Sequence, residues 1–183
     1  MKIITIGDSW SSAICATPQG ELNNHGWPQL LGPTCTAIGV PGSTVAQWMT
    51  NFGNRLVLAK QFKADVLIMS LLGNDAMNFA KKGLTFNWAT NQINLAKIIN
   101  IVKKPRTIVL TYADPFNGSN KNVAALLTHI NQTIRASVAT VQGVEIFETG
   151  TVLTPGMFLP PDMHPNIQGH VALARQFKNL LGI

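Results

Sequence analysis

Four short stretches of the 183-residue sequence hold residue types that chemistry needs, at spacings that read as loops. The first is Gly7-Asp8-Ser9, just after Ile3-Ile4-Thr5-Ile6. A serine at a strand end often only caps a helix by taking up free backbone N–H groups. It acts as a nucleophile when a base lies within hydrogen-bond reach and donors await the oxyanion. The second stretch is Gly39-Val40-Pro41-Gly42-Ser43-Thr44. Its glycines permit close packing, and N–H groups at a helix start present a fixed dipole to developing negative charge. The spacing is neither that of a dinucleotide loop nor that of a nucleoside-triphosphate loop, which ends in Lys-Ser or Lys-Thr. The third is Asn74-Asp75, where Asn is either a turn former or a side-chain oxyanion donor. Asp75 is suited to ordering this loop or capping the next segment. The fourth is Pro161-Asp162-Met163-His164-Pro165-Asn166. His129 and His170 fall on predicted helices, and His25 precedes a helix entry at Gly26-Trp27-Pro28. His164 instead sits in a proline-rich loop beside a carboxylate, and a rigid loop presenting an imidazole is what general-base work requires. The chemistry these groups suit is acyl transfer.

The elements that must position them are legible in the hydrophobic period. Apolar runs at 2–6, 34–38, 66–71, 107–112 and 144–147 are continuous rather than alternating. Such runs mark strands buried on both faces of a parallel sheet. Helical spacing joins Val45, Trp48, Met49, Phe52, Leu56 and Ala59 into one predicted helix, with Ser43 or Thr44 as its cap. Trp88, Leu95, Ile98, Ile99 and Val102 form another that ends before Pro105, and Val123, Leu126, Leu127, Ile130, Ile134 and Val138 a third. A last helix after Asn166 is predicted to bury Ile167, Val171, Ala174 and Phe177. This alternation predicts an α/β fold: a three-layer α/β/α sandwich around a mainly parallel sheet of about five strands. In such folds functional groups collect where strands end. Asp8, Asp75, Asp114 and Asp162, half of the eight carboxylates, lie at those places.

Residues 1–183 fit one domain, and a hydrophobic fraction of 46% with 12% charged residues excludes a disordered chain. The net charge of +6 is spread along the sequence without interleaved aromatics, so nucleic acid is not the expected partner. Cys15 and Cys35 lack metal-ligand spacing and read as free thiols, with a disulfide between them as the alternative. No apolar run is long enough to span a bilayer. Met1-Lys2 leads directly into the first strand, which reads as a cytoplasmic chain.

In this order, the four stretches resemble the SGNH (GDSL-type) hydrolases across essentially the whole chain. The family's first block matches Ile4-Thr5-Ile6-Gly7-Asp8-Ser9, its second-block glycine Gly42, its Gly-x-Asn-Asp block Asn74-Asp75, and its His-Pro-Asn sequence His164-Pro165-Asn166. The resemblance implies a flavodoxin-like fold and a serine esterase working without metal or organic cofactor. Ser9 would be its nucleophile and His164 its base. The backbone N–H groups of Ser9 and Gly42 and the amide of Asn74 would form the oxyanion hole, with Asp8 and Asp75 in support. It also implies an ester of a small molecule or glycan as substrate. Acetyl or short-chain acyl esters, on carbohydrate among other alcohols, are expected first. Lysophospholipids, thioesters, or a non-catalytic carbohydrate- or phosphate-binding role are the alternatives. Selectivity is expected from 114–121 and 150–160, with Met157 and Phe158 toward the acyl group. The sequence departs from the family at two places. Leu72 stands where the third block begins with Gly, which is expected to alter the turn. Pro161 occupies the usual position of the triad Asp, three residues before the histidine. Asp162, a backbone carbonyl of Pro160 or Pro161, or a carboxylate from another loop can then orient His164. Asp162 is preferred, because a carboxylate both fixes the tautomer and stabilises the imidazolium.

Overall fold

The computed structural model describes residues 1–12, 15–16, 22–23, 26–82, 86–159 and 163–183, with backbone alone for 15–16, 22–23 and 78–82. Five strands form one parallel sheet: β1 (Ile3–Gly7), β4 (Cys35–Ala37), β5 (Val66–Ser70), β6 (Arg106–Leu110) and β7 (Val144–Phe147). A small antiparallel pair, β2 (Cys15–Ala16) and β3 (Leu22–Asn23), stands apart. The sheet order is β4-β1-β5-β6-β7. All five residues of β1 and of β5 are buried, as continuous apolar strands covered on both faces must be.

The helices are α1 (Trp27–Leu30), α2 (Val45–Thr50), α3 (Gly53–Gln61), α4 (Gly73–Lys82), α5 (Trp88–Val102), α6 (Lys121–Ala139) and α7 (Ile167–Leu181). One group packs α2 and α3 on α5 and α5 on α6, and the other packs α1 on α7, giving the two helical layers of an α/β/α sandwich. The direction in which successive strands are added reverses at β1, since β4 lies on one side of it and β5 on the other. The crevice beyond the ends of β1 and β5 is therefore the topological switch point, where open α/β sheets bind their ligands. Gly7 pairs in register with Ser70, so the chain leaving β1 meets the chain leaving β5.

Two helices differ from expectation. The stripe from Val45 to Ala59 belongs to two helices, not one: α2 stops at Thr50 and α3 restarts at Gly53, with Phe52 at φ −106°, ψ 23° between them. Asn51 and Gly53 are poor helix residues, and the turn they allow divides the pattern. On α7 the buried set is Gly169, His170, Leu173, Ala174, Phe177 and Leu181, while Ile167 and Val171 are exposed. Two contacts set this rotation. Gly169 lies so close to the Met157 carbonyl that a Cβ would come within 2.5 Å, and the His170 Nδ1 accepts the Trp27 N–H at 3.2 Å. Burial holds His170 neutral, lowering its pKa to about 4. Cys35 is a free thiol that burial pushes up to about 12. Among the described residues, no helix is long and apolar enough to cross a membrane.

Candidate active site

The turn after β1 is built on a glycine that nothing can replace. Gly7 has φ +129°, and a Cβ there would lie 1.6 Å from the Ser70 carbonyl oxygen. The chain then leaves the sheet in a single 3-10 turn, Ser9–Ser11, capped by Asp8, whose Oδ1 accepts the Trp10 N–H at 3.0 Å. Ser12 closes the turn by donating its hydroxyl to the Ser9 carbonyl at 3.0 Å. Ser9 is thereby left half-buried at the mouth of the crevice.

From the far end of the chain, the loop before α7 brings His164 to the same place. Asn166 caps α7 by accepting the Gly169 N–H, and its amide donates to the Gly156 and Phe158 carbonyls, so one side chain fixes loop and helix together. The Leu159 N–H donates to the His164 carbonyl at 3.0 Å. The result is a 2.7 Å hydrogen bond between Ser9 Oγ and His164 Nε2, across 155 residues of sequence. A hydroxyl so placed can pass its proton to the ring. Asp162 lies outside the described residues, as do Pro160 and Pro161.

Asn74 and Asp75 open α4 after β5. The Asn74 Nδ2 donates to the Ser43 carbonyl at 3.2 Å, and Asp75 accepts the Val45 N–H with both oxygens, at 3.1 and 2.9 Å. Asp75 thus secures α2, an earlier helix, rather than the segment after its own. Thr44 is the cap of α2, in a capping box with Gln47. Ser43 also donates to the Gly7 carbonyl at 3.2 Å and accepts the Trp48 indole N–H at 2.9 Å. The segment carrying Gly42, itself at φ +76°, is so tied to both β1 and α4. Leu72 stands fully buried at φ 111°, a backbone conformation that a glycine adopts without strain. The departure from the family pattern is met by a strained leucine.

Asp8, Ser9, Trp10, Gly73, Asn74, Met77, Tyr112, Met163 and His164 line a cavity of about 150 Å³ at the switch point. Of the residues singled out by sequence, Ser9, His164, Asn74 and Asp8 meet there, while Gly42 and Asp75 are not among its described lining. Neither are Met157 and Phe158: Phe158 is buried, packed 6.2 Å from the Trp10 ring. Asp114 is also elsewhere, accepting the Phe116 and Gly118 N–H groups of its own turn. Sequence reasoning passed over Trp10, Met77, Tyr112 and Met163. The one available signal was that Tyr112, the only tyrosine of the chain, ends the fourth apolar run.

Two buried carboxylates underlie the cavity. Burial pushes the Asp8 pKa up, against hydrogen bonds from Tyr112, Trp10 and Ser70 that favour its anion. Burial likewise raises Asp75, to about 7, against the Val45 N–H and with help from the nearby charge of Asp8. Among the described residues, no cluster of three or more His, Cys, Asp or Glu side chains could hold a metal ion.

Fold and switch-point site together define an SGNH hydrolase architecture. Solved structures share it. An acetylxylan esterase from Geobacillus stearothermophilus, solved as a catalytic mutant, superposes with a TM-score of 0.74 at 16% identity, covering 100% of this chain and 94% of that one. An α/β hydrolase from the metagenome of Lake Arreo, Spain, gives 0.74 at 20% identity, covering 99% and 94%. No curated protein matches the sequence. Residues 5–172 match the GDSL-like Lipase/Acylhydrolase family, and the chain belongs to it.

Proposed function

We propose that the protein is a serine esterase that hydrolyses carboxylic esters through an acyl-enzyme on Ser9. The 2.7 Å contact between Ser9 Oγ and His164 Nε2 carries the reading, because a nucleophile and its base must be in hydrogen-bond reach. As Oγ attacks the ester carbonyl, its proton passes to His164 Nε2 and the carbonyl π electrons move onto oxygen. The N–H groups of Ser9 and Gly42 and the Asn74 amide hold that oxyanion. The tetrahedral adduct collapses, the bond to the leaving alkoxide breaks, and the imidazolium returns its proton to it, releasing the alcohol. Water then gives a proton to His164 and attacks the acyl-enzyme. Collapse of the second adduct releases the carboxylic acid and restores the Ser9 hydroxyl. Asp162 orients the imidazole in this scheme.

The substrate class is argued from size. A cavity of about 150 Å³ walled by Trp10, Met77, Tyr112 and Met163 suits an acetyl or short acyl group better than a lipid chain. The likeness in fold to the Geobacillus acetylxylan esterase favours an acetylated carbohydrate as the alcohol side. Purified protein assayed on p-nitrophenyl esters from acetate to decanoate and on acetylated xylan should prefer acetate and release acetic acid from the glycan. A fluorophosphonate should label Ser9. Failure of wild-type protein to label, or turnover surviving in Ser9→Ala, would overturn the reading.

A further inference from the structure

Tyr112 stands at the junction of the pieces that the proposed reaction needs, and its surroundings are unusually complete. Its hydroxyl donates to Asp8 Oδ2 at 2.5 Å, and Asp8 caps the turn that carries Ser9. On its other side the phenol lies against the start of α4. A Cβ on Gly73 would sit 2.9 Å from the tyrosine ring and 3.2 Å from its oxygen, so the phenol packs directly on the start of that helix. Gly73 immediately precedes Asn74. The ring also meets Trp10, the residue after Ser9, edge-on at 5.1 Å. From behind, one side chain holds the tyrosine's backbone: Asn131 of α6 accepts the Tyr112 N–H at 2.8 Å and donates to its carbonyl at 2.9 Å. The tyrosine is therefore a fixed spacer, its hydroxyl on the turn of Ser9 and its ring on the helix that carries the amide.

The geometry points to Tyr112 as a positioning residue that sets the separation of Ser9 from the Asn74 amide, its hydroxyl bonded to Asp8 and its ring packed on Gly73. This role rests on the esterase reading. The physical reason for such a spacer is that Ser9 and Asn74 stand on separate elements, at the ends of β1 and β5. Ser9 is further anchored by Ser70, which donates to Asp8 Oδ1 at 2.9 Å, but Ser70 belongs to β5 itself and does not reach α4. A shift of about 1 Å between reacting groups costs on the order of 100-fold in rate. The spacer acts on the transition state, where the oxyanion forms, more than on binding of the neutral ester.

The test uses the full chain and p-nitrophenyl acetate, with wild type and Ser9→Ala assayed alongside. If wild type and Ser9→Ala turn over alike, the esterase reading falls by itself. With that reading intact, Tyr112→Phe keeps the ring and loses only the hydroxyl. At a temperature where it is fully folded, its kcat is expected to fall about 10- to 100-fold with KM within about 2-fold of wild type, and fluorophosphonate labelling of Ser9 should slow in parallel. A role in stability alone would lower Tm and leave kcat at that temperature untouched. Folded Tyr112→Phe with wild-type kcat, or with a change in KM alone, would overturn the inference. If Tyr112→Phe does not fold, Gly73→Ala displaces the same ring from the other side. A drop in its kcat of about 3-fold or more at constant KM supports the spacer, and wild-type kcat removes it.

Discussion

At the ends of β1 and β5, Ser9, Asn74 and His164 face a cavity of about 150 Å³; at the ends of β6 and β7, a groove of about 350 Å³ is lined by Thr111, Asp114, Asn131, Arg135 and Glu148 among others. The second region is larger and just as polar, yet most of its polar side chains are engaged within the fold, the exposed Gln132 excepted. Arg135 makes two hydrogen bonds to Glu148, at 3.0 and 2.9 Å, and Thr111 donates to the same carboxylate at 2.9 Å. Asn131 is engaged at both ends by Tyr112, and Asp114 by its turn. In the first region, one Asn74 hydrogen goes to Ser43 and an amide has a second to offer. Strain divides the halves in the same way. Asn117, near the groove, sits at φ 48°, which asparagine tolerates, whereas Leu72, near the cavity, sits at φ 111°. What distinguishes a site here is the switch point and uncommitted polar capacity, not volume or polarity.

That contrast can be broken first at the cavity. His164→Ala removes the proposed base, and turnover of p-nitrophenyl acetate should fall by roughly 1,000-fold or more, with the fold retained by circular dichroism. Loss of only a few-fold would show that the Ser9–His164 contact is incidental. Asn74→Ala takes away one proposed oxyanion donor, for which kcat should fall about 100- to 1,000-fold at nearly constant KM. A rise in KM with kcat preserved would assign Asn74 to ground-state binding instead.

Much of this site is legible in the chain because its groups sit just after strands or just before the last helix. Ser9, Asn74 and His164 each stand out as polar residues in loops bounded by strongly periodic segments, and those segments fix the sheet. What escapes is whatever depends on neighbours in space. Tyr112 is the end of an apolar run until β6 lies beside β5 and its hydroxyl meets Asp8. Met77 and Met163, from α4 and the last loop, carry no local pattern at all. The rotation of α7 is set by Gly169 against Met157 and by His170 against Trp27, so a stripe counted from Ile167 finds Ala174 and Phe177 but misplaces Ile167 and Val171. Leu72 reads only as a departure at a turn; the structure shows that it is fully buried and that it occupies a glycine conformation.

Behind the cavity, Asp75 makes the comparison quantitative in pH. Its folded pKa of about 7 exceeds the ordinary 3.8, so between these values the folded state holds more protons than the unfolded one. Its contribution to stability is therefore greatest below about pH 4 and is lost as pH rises through about 7. The difference is worth roughly 4 kcal/mol at most. His170, with a folded pKa of about 4, works in the opposite sense, losing stability as pH falls from about 6.5 to 4. Asp75→Asn keeps an acceptor for the Val45 N–H and removes the charge. Thermal melts between pH 4 and 8 should then show a variant that gains on wild type as pH rises; a constant difference would show that Asp75 does not titrate in this range. Leu72→Gly, next in size, relieves about 1–3 kcal/mol of backbone strain but gives up a fully buried side chain worth roughly 2–5 kcal/mol. A net loss of about 1–2 kcal/mol in urea unfolding is expected, and a more stable variant would show that the strain outweighs the packing.

The smallest effect belongs to the groove. Arg135 and Glu148 retain 46% and 42% of their side-chain exposure, so their ion pair is screened by water and worth about 0–1 kcal/mol. Arg135→Gln should leave kcat and KM for p-nitrophenyl acetate within about 2-fold of wild type and shift stability by less than about 1 kcal/mol. Glu148 keeps the Thr111 hydroxyl as a partner, and half-exposed it can recruit water for the rest. Because Thr111 leads directly into Tyr112, the groove and the cavity are close enough for a hidden coupling to register. A fall of about 10-fold or more in kcat/KM would mean that the ion pair holds the cavity wall in place, and the division between a committed groove and an uncommitted site would have to be redrawn.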